Sequence, residues 1–292
     1  MRVFVFSVLL LTAANAAQAQ PQVSMPVETV TSAAQRARDD DTAHRFVQSV
    51  LAQSPTMENQ YAKWKAPVCP HVYGLTPVAA YVVEHRIKEV ASQVGAPVDH
   101  KDPCIPNIGI IVTADPQKSL DSLATVAPYL VASSSRRTKV EHPVEIWYAS
   151  MLRDYNGKLN FDQSWEDAGL DGPPMVPAQL SRLSTGQTAE MGAATVLVNA
   201  QAVTGLSLGA LADYIALQTL AQNQVTDRCQ NVPSITNLLL PGCDAANHTD
   251  QLSDLDLALL TGLYAAPERP ELLQRQRIIG AMKRALEAQH GR

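Results

Sequence analysis

An α/β (α+β) fold is predicted for this chain: a mixed sheet with packed helices, flanked by N- and C-terminal helices. Three observations predict it. Short runs rich in β-branched residues alternate with longer runs whose apolar residues recur at helical spacing. The alternation continues across most of the 292 residues, with no internal repeat. The chain is also long enough to bury a substantial core.

The elements follow in order. Gln20–Thr31, with Pro21 and Pro26, reads as a mobile lead-in. Ser32–Gln53 reads as a helix, because Phe46, Val47, Val50 and Leu51 share one face; Ser54-Pro55-Thr56 stops it. "YAKWKAPVCPHVYGLTP" is proline-rich and extended. "PVAAYVVEHRIKEVASQVGAP" is a strong helix with Pro77 in its first turn. Ala80, Val83, Ile87, Val90 and Val94 make its buried stripe, and Gly95 ends it. "PNIGIIVTADP" is a buried strand and "PQKSLDSLATVAPYL" a helix. "VEIWYASMLRDYNGKLNF" is a strand running into a turn at Asn156-Gly157. Residues 162–192 are polar and broken by Gly172, Pro173, Pro174 and Pro177, so they read as a long connection or insertion.

"AATVLVNAQAVTGLSLGALADYIALQTLAQ" is then a strand, a sharp turn and a helix. "CQNVPSITNLLLPGC" is a disulfide-closed loop. "LSDLDLALLTGLYAAP" is a helix with Ser253 as N-cap and Asp256 at its third position. "ELLQRQRIIGAMKRALEAQ" is a terminal amphipathic helix.

The N-terminus reads as a secretory signal. Arg2 precedes the apolar run Val3–Leu11, and Ala17-Gln18-Ala19 is an A-x-A site. Cleavage after Ala19 would deliver the chain to a bacterial periplasm or the outside. The domains expected are 1–19 signal peptide, 20–60 lead-in and helix, 61–270 disulfide-stabilised α/β domain, and 271–292 C-terminal amphipathic helix. The formal charge of −5, made one unit more negative by loss of Arg2, disfavours nucleic acid as a partner. No later segment is long and apolar enough to suggest a membrane span.

Cys69, Cys104, Cys229 and Cys243 allow three pairings in an oxidising compartment. Sequential pairing, Cys69–Cys104 and Cys229–Cys243, is expected because each bridge closes a local loop. A structural zinc site is disfavoured because no C-x-x-C occurs.

Gly205-Leu206-Ser207-Leu208-Gly209 matches G-x-S-x-G, the turn that exposes a serine hydrolase nucleophile between strand and helix. Ser207 would need an acid and a histidine downstream, where only His248 and His290 remain, and no H-G-G-G segment lies upstream. The alternative is that Ser207 caps the helix starting at Leu208, and this is the expectation. Asp213 and Tyr214 are expected to be satisfied structural polar groups on a largely buried helix.

The segments "WKAPVCP", "VGAPV" followed by Cys104 and "PNI", "DPQ", "LGALADYIALQTLAQ", "CQNVPSITNLL" and "LSDLDLALLTGLY" carry a resemblance. They resemble an uncharacterised family of secreted proteobacterial proteins, which lends no established activity. More distantly, the order of parts is similar to zincin metalloproteases of the metzincin kind. There a mixed sheet precedes a helix bearing H-E-x-x-H, then a turn under the metal, then a last helix often preceded by Ser-x-x-Asp. The resemblance implies a zincin-like single domain. It does not imply the activity, because zinc chemistry needs two imidazoles one helical turn apart and no histidine lies between His142 and His248.

Two weaker constellations remain. His85 and Glu89, with Glu84 and His71, have surface-metal spacing but read better as exposed pairs. Trp147, Tyr148, Phe161 and Trp165 would suit a ligand groove, but in a chain with 5% aromatic residues they read as packing anchors. The expectation is an exported protein without catalytic groups, cofactor or metal, binding a peptide, protein or small molecule in the cell envelope. The competing class is a hydrolase, using Ser207 or non-standard metal ligands.

Overall fold

The computed structural model describes residues 27–53, 60–101, 103–131, 139–154, 159–161, 187–224, 227–267 and 271–290. The signal segment, the turn at Asn156-Gly157, Trp165 and residues 162–186 lie outside these. The first helix, α1 (Val27–Val50), begins five residues before the expected start at Ser32.

Six strands form one sheet: β1 (Lys63–Trp64), β2 (Pro70–Tyr73), β3 (Ile108–Thr113), β4 (Val144–Asp154), β5 (Leu159–Phe161) and β6 (Gln187–Asn199). Their order is β2-β3-β6-β4-β5, with β1 beside the first half of β6. β1 and β3 run parallel to β6, and β4 runs antiparallel to it. The sheet is therefore mixed, as expected.

Helices α2 (Pro77–Val94), α3 (Pro116–Val126), α4 (Leu208–Leu220), α5 (Asp254–Ala265) and α6 (Glu271–His290) complete the frame. Their starts are written in the sequence. Thr76, Asp115, Ser207 and Ser253 each accept a backbone N–H with the side chain, and Ser253 and Asp256 form a reciprocal capping box. Gly95 ends α2 with φ 82°, a left-handed geometry that suits glycine.

Strand alternation divides the core in two. Ala194, Val196 and Val198 of β6 join the main core with α2, α4, α5 and α6, while Leu197 joins Trp147, Leu120 and Val131 under α3. The α2 stripe behaves as expected, with Val83, Ile87, Val90 and Val94 buried. Trp147 is a packing anchor.

The connection expected over 162–192 ends earlier, because residues 187–192 belong to β6. The polar pattern there has a structural cause. The register of β4 against β6 slips between Ala149 and Ser150, leaving Gly192 as the extra residue and reversing the side-chain alternation. Ala189 and Met191 then face the main core. Glu190, 2% exposed, is held by Lys65 at 3.0 Å and by Arg153 through two nitrogens.

Both expected disulfides form: Cys69–Cys104 and Cys229–Cys243. The second spans a sequence separation of 14, for which loop entropy is worth about 3 kcal/mol. No helix among the described residues is long and apolar enough to cross a membrane.

Candidate functional site

The turn before α4 answers the G-x-S-x-G question. Gly205 takes φ 95°, and Ser207 is extended at φ −69°, ψ 151°. The Ala210 N–H donates to Ser207 Oγ at 3.0 Å. The hydroxyl is spent on an orphan amide of the helix start. Among the described residues no histidine or carboxylate hydrogen-bonds to it. The motif is an N-cap.

Asp213 of α4 is 2% exposed and hydrogen-bonded through both carboxylate oxygens. Arg86 of α2 grips it with Nε at 2.6 Å and Nη2 at 3.2 Å, and the Leu252 N–H donates to it at 3.1 Å. Three parts of the chain meet on this carboxylate. It is a buried, hydrogen-bonded ion pair, so the polar group is satisfied. Asp256 plays the matching role at the start of α5. It is fully buried and accepts from Ser234 Oγ at 2.6 Å, Ile235 N–H at 2.9 Å and both Ser253 groups. Burial raises its pKa, and those hydrogen bonds pull the other way.

A cleft of about 650 Å3 opens between the first half of β4 and α4. Its size is that of a small-ligand site. Val144, Ile146 and Leu206, together with Leu238, Leu239 and Leu240 of the disulfide-closed loop, give its apolar lining. Tyr148, Tyr214, Gln218 and Asn223 are among its polar lining residues. Tyr148 Oη donates to Gln218 O at 2.8 Å. Asn223 Nδ2 donates to Leu217 O at 3.1 Å and to Gln218 Oε1 at 3.2 Å. Burial first, then the charge of Glu145, pushes the Tyr214 hydroxyl up to about 12, against a hydrogen bond with Gln218. Tyr214 is therefore a neutral hydroxyl at physiological pH.

His142 stands at the mouth with a carboxylate on each ring nitrogen. Nδ1 lies 2.9 Å from Glu145 Oε1 and Nε2 lies 2.8 Å from Asp227 Oδ1. Glu145 is 1% exposed and also accepts the N–H groups of Glu141 and His142. Desolvation lowers the His142 pKa, but the hydrogen bonds to Glu145 and Asp227, with their charges, outweigh it and raise it. With both ring nitrogens donating, the imidazolium ties Asp227 beside the disulfide loop to the start of β4.

The other constellations are local pairs. His85 lies 3.3 Å from Glu89 and His71 lies 3.2 Å from Glu84, with all four side chains at least partly exposed. Among the described residues no group of three or more His, Cys, Asp or Glu side chains is placed to hold a metal ion. Comparison with protein-family models, curated proteins and solved structures finds no match to this chain.

Sequence reasoning did not single out His142, Glu145, Asn223 or Asp227. His142 and Asp227 are 85 positions apart, and no motif links them. The available signal was weak: a histidine three residues before a glutamate at a strand start, in a chain with seven histidines.

Proposed function

We propose that this protein is a non-catalytic exported binding protein on a zincin-like frame, and that the cleft between β4 and α4 receives a small molecule or the end of a peptide. The cleft itself carries the reading: about 650 Å3, lined by a run of apolar residues with polar side chains among them. Two observations support the frame. α4 follows the long strand β6 and its turn, as the metal-bearing helix does in zincins. The Ser-x-x-Asp at the start of α5 grips the 234–235 segment, where the turn under the metal would lie. On α4 itself, Asp213 is paired with Arg86 of α2, in line with a structural use of that carboxylate. Two disulfides and the absence of a membrane-length helix among the described residues suit an exported protein.

The test is titration of the purified protein with the apolar fluorophore 1-anilinonaphthalene, followed by NMR resonances of the cleft. Saturable shifts confined to β4, α4 and residues 236–241 are expected, abolished by Leu240→Glu. Absence of such shifts refutes the cleft. Covalent labelling of the wild type, but not of Ser207→Ala, by a fluorophosphonate would refute the non-catalytic reading.

A further inference from the structure

The two disulfides stand in unlike surroundings. In Cys69–Cys104 the two halves are unequally covered. Cys69 is 2% exposed, whereas Cys104 is partly exposed between the exposed residues Pro103 and Ile105. Ile105 is 89% exposed, so a reagent can approach this stretch from solvent. Lys88 of α2 donates from Nζ to Cys104 Sγ at 3.6 Å, and among the described residues it makes no salt bridge. An ammonium beside sulfur favours the thiolate. At the other bridge, Cys243 Sγ lies 3.9 Å from the carbonyl oxygen of Asn237, whose partial negative charge disfavours a thiolate.

The Cys69–Cys104 bond is also not what holds its neighbourhood together. β2 and β3 pair in parallel from Pro70 with Ile108 to Tyr73 with Ile111. The Cys69 N–H donates to Asn107 Oδ1 at 2.7 Å, and the N–H groups of Asn107 and Ile108 donate to Cys69 O at 3.1 and 3.2 Å. Opening the S–S bond leaves these bonds in place. Cys104, three residues before Asn107, then stays in reach of Cys69 for the bond to reform.

We propose that Cys69–Cys104 is an exchangeable bridge, opened reversibly by an external dithiol, with Cys104 the attacked sulfur and Lys88 the group that stabilises its thiolate. A thiolate of the dithiol attacks Cys104 Sγ, the Sγ–Sγ bond breaks, and Cys69 leaves with the electron pair and takes a proton. The dithiol's second thiolate then attacks its own sulfur in the mixed disulfide, and Cys104 leaves as a thiolate beside Lys88. The dithiol is oxidised to a disulfide and gives two electrons to the bridge. Of its two protons, one ends on Cys69 and the other in solvent. The ammonium acts where Cys104 is the leaving group, since a more stable thiolate leaves faster. A disulfide oxidant runs the same steps backwards from the Cys104 thiolate.

The purified full chain is incubated with dithiothreitol at neutral pH, quenched with N-ethylmaleimide and read by peptide mass spectrometry. Cys69–Cys104 is expected to open at least about fivefold faster than Cys229–Cys243. With the monothiol glutathione, the mixed disulfide is expected on Cys104. Lys88→Met is expected to slow opening at least about threefold, with Lys88→Arg close to wild type and Cys229–Cys243 unchanged in both. In the reduced protein, alkylation of Cys104 by the neutral reagent iodoacetamide should reach half its maximal rate at a lower pH in the wild type than in Lys88→Met. Packing alone would not move that profile. Far-ultraviolet circular dichroism should be unchanged with the bridge open, and oxidised glutathione should close it again. Opening of Cys229–Cys243 first, glutathione on Cys69, wild-type behaviour of Lys88→Met, or loss of the fold on opening each overturns the assignment. If Lys88→Met does not fold, the order of opening and the position of glutathione in the wild type decide it.

Discussion

Replacing Arg86 by Met should destabilise the fold strongly, and the structure says by how much. Asp213 keeps 3% side-chain exposure, and Arg86 keeps 37%. Removing the guanidinium takes away two hydrogen bonds, at 2.6 and 3.2 Å, and leaves a buried carboxylate with the Leu252 N–H as its remaining donor among the described residues. Stranding one partner of a buried pair costs about 3–5 kcal/mol. The remaining backbone donor and the partial exposure of the site place the expected loss near the lower end, at about 3 kcal/mol. The contrast is Arg45→Met, which breaks an ion pair to Asp41 whose side chains are 70% and 57% exposed. That loss should stay under about 1 kcal/mol. Adding Asp213→Asn to Arg86→Met should recover part of the loss, because it removes the stranded charge. Urea unfolding followed by far-ultraviolet circular dichroism, with disulfides intact, measures all four proteins. If Arg86→Met costs no more than Arg45→Met, Asp213 is not held as a structural pair, and a functional role for it returns.

The glycines of α5 and α6 give a second contrast, read in the same unfolding assay. A methyl at Gly262 would sit 2.7 Å from Ile278 Cα, whereas at Gly280 the nearest atom is the flexible Arg284 Nη1 at 3.7 Å. Gly280→Ala should stabilise by up to about 1 kcal/mol through helix propensity. Gly262→Ala should lose that gain to overpacking of about 1–3 kcal/mol and come out destabilised. His142 supplies the pH prediction. Its native pKa is raised above 6.5, so its contribution is complete below 6.5 and is lost as pH rises through the native value. Urea midpoints measured across that window should fall for the wild type and lose this component in His142→Gln.

Much of the fold was legible because local rules and tertiary packing agree. The N-caps at Ser207 and Ser253, the α2 stripe and the strand of residues 108–113 all follow from spacing and capping chemistry. The start of β6 was not legible. Thr188 and Glu190 read as loop, and only the bulge at Gly192 with Lys65 and Arg153 nearby makes them strand. The cleft was less legible still, since Tyr148 reads as a packing anchor until Gln218 O is seen to accept its hydroxyl.

What the sequence determined by itself was the period of each segment, the ends of its helices, and the absence of paired imidazoles on the α4 helix. Those are properties of neighbours three or four residues apart, which the chain cannot separate. What only the tertiary structure decided was partnership across the chain. Arg86 meets Asp213 over 127 positions, and His142 meets Asp227 over 85. A charge carries no mark of which distant charge will neutralise it; burial selects the partner, because a buried carboxylate without one is too costly to keep.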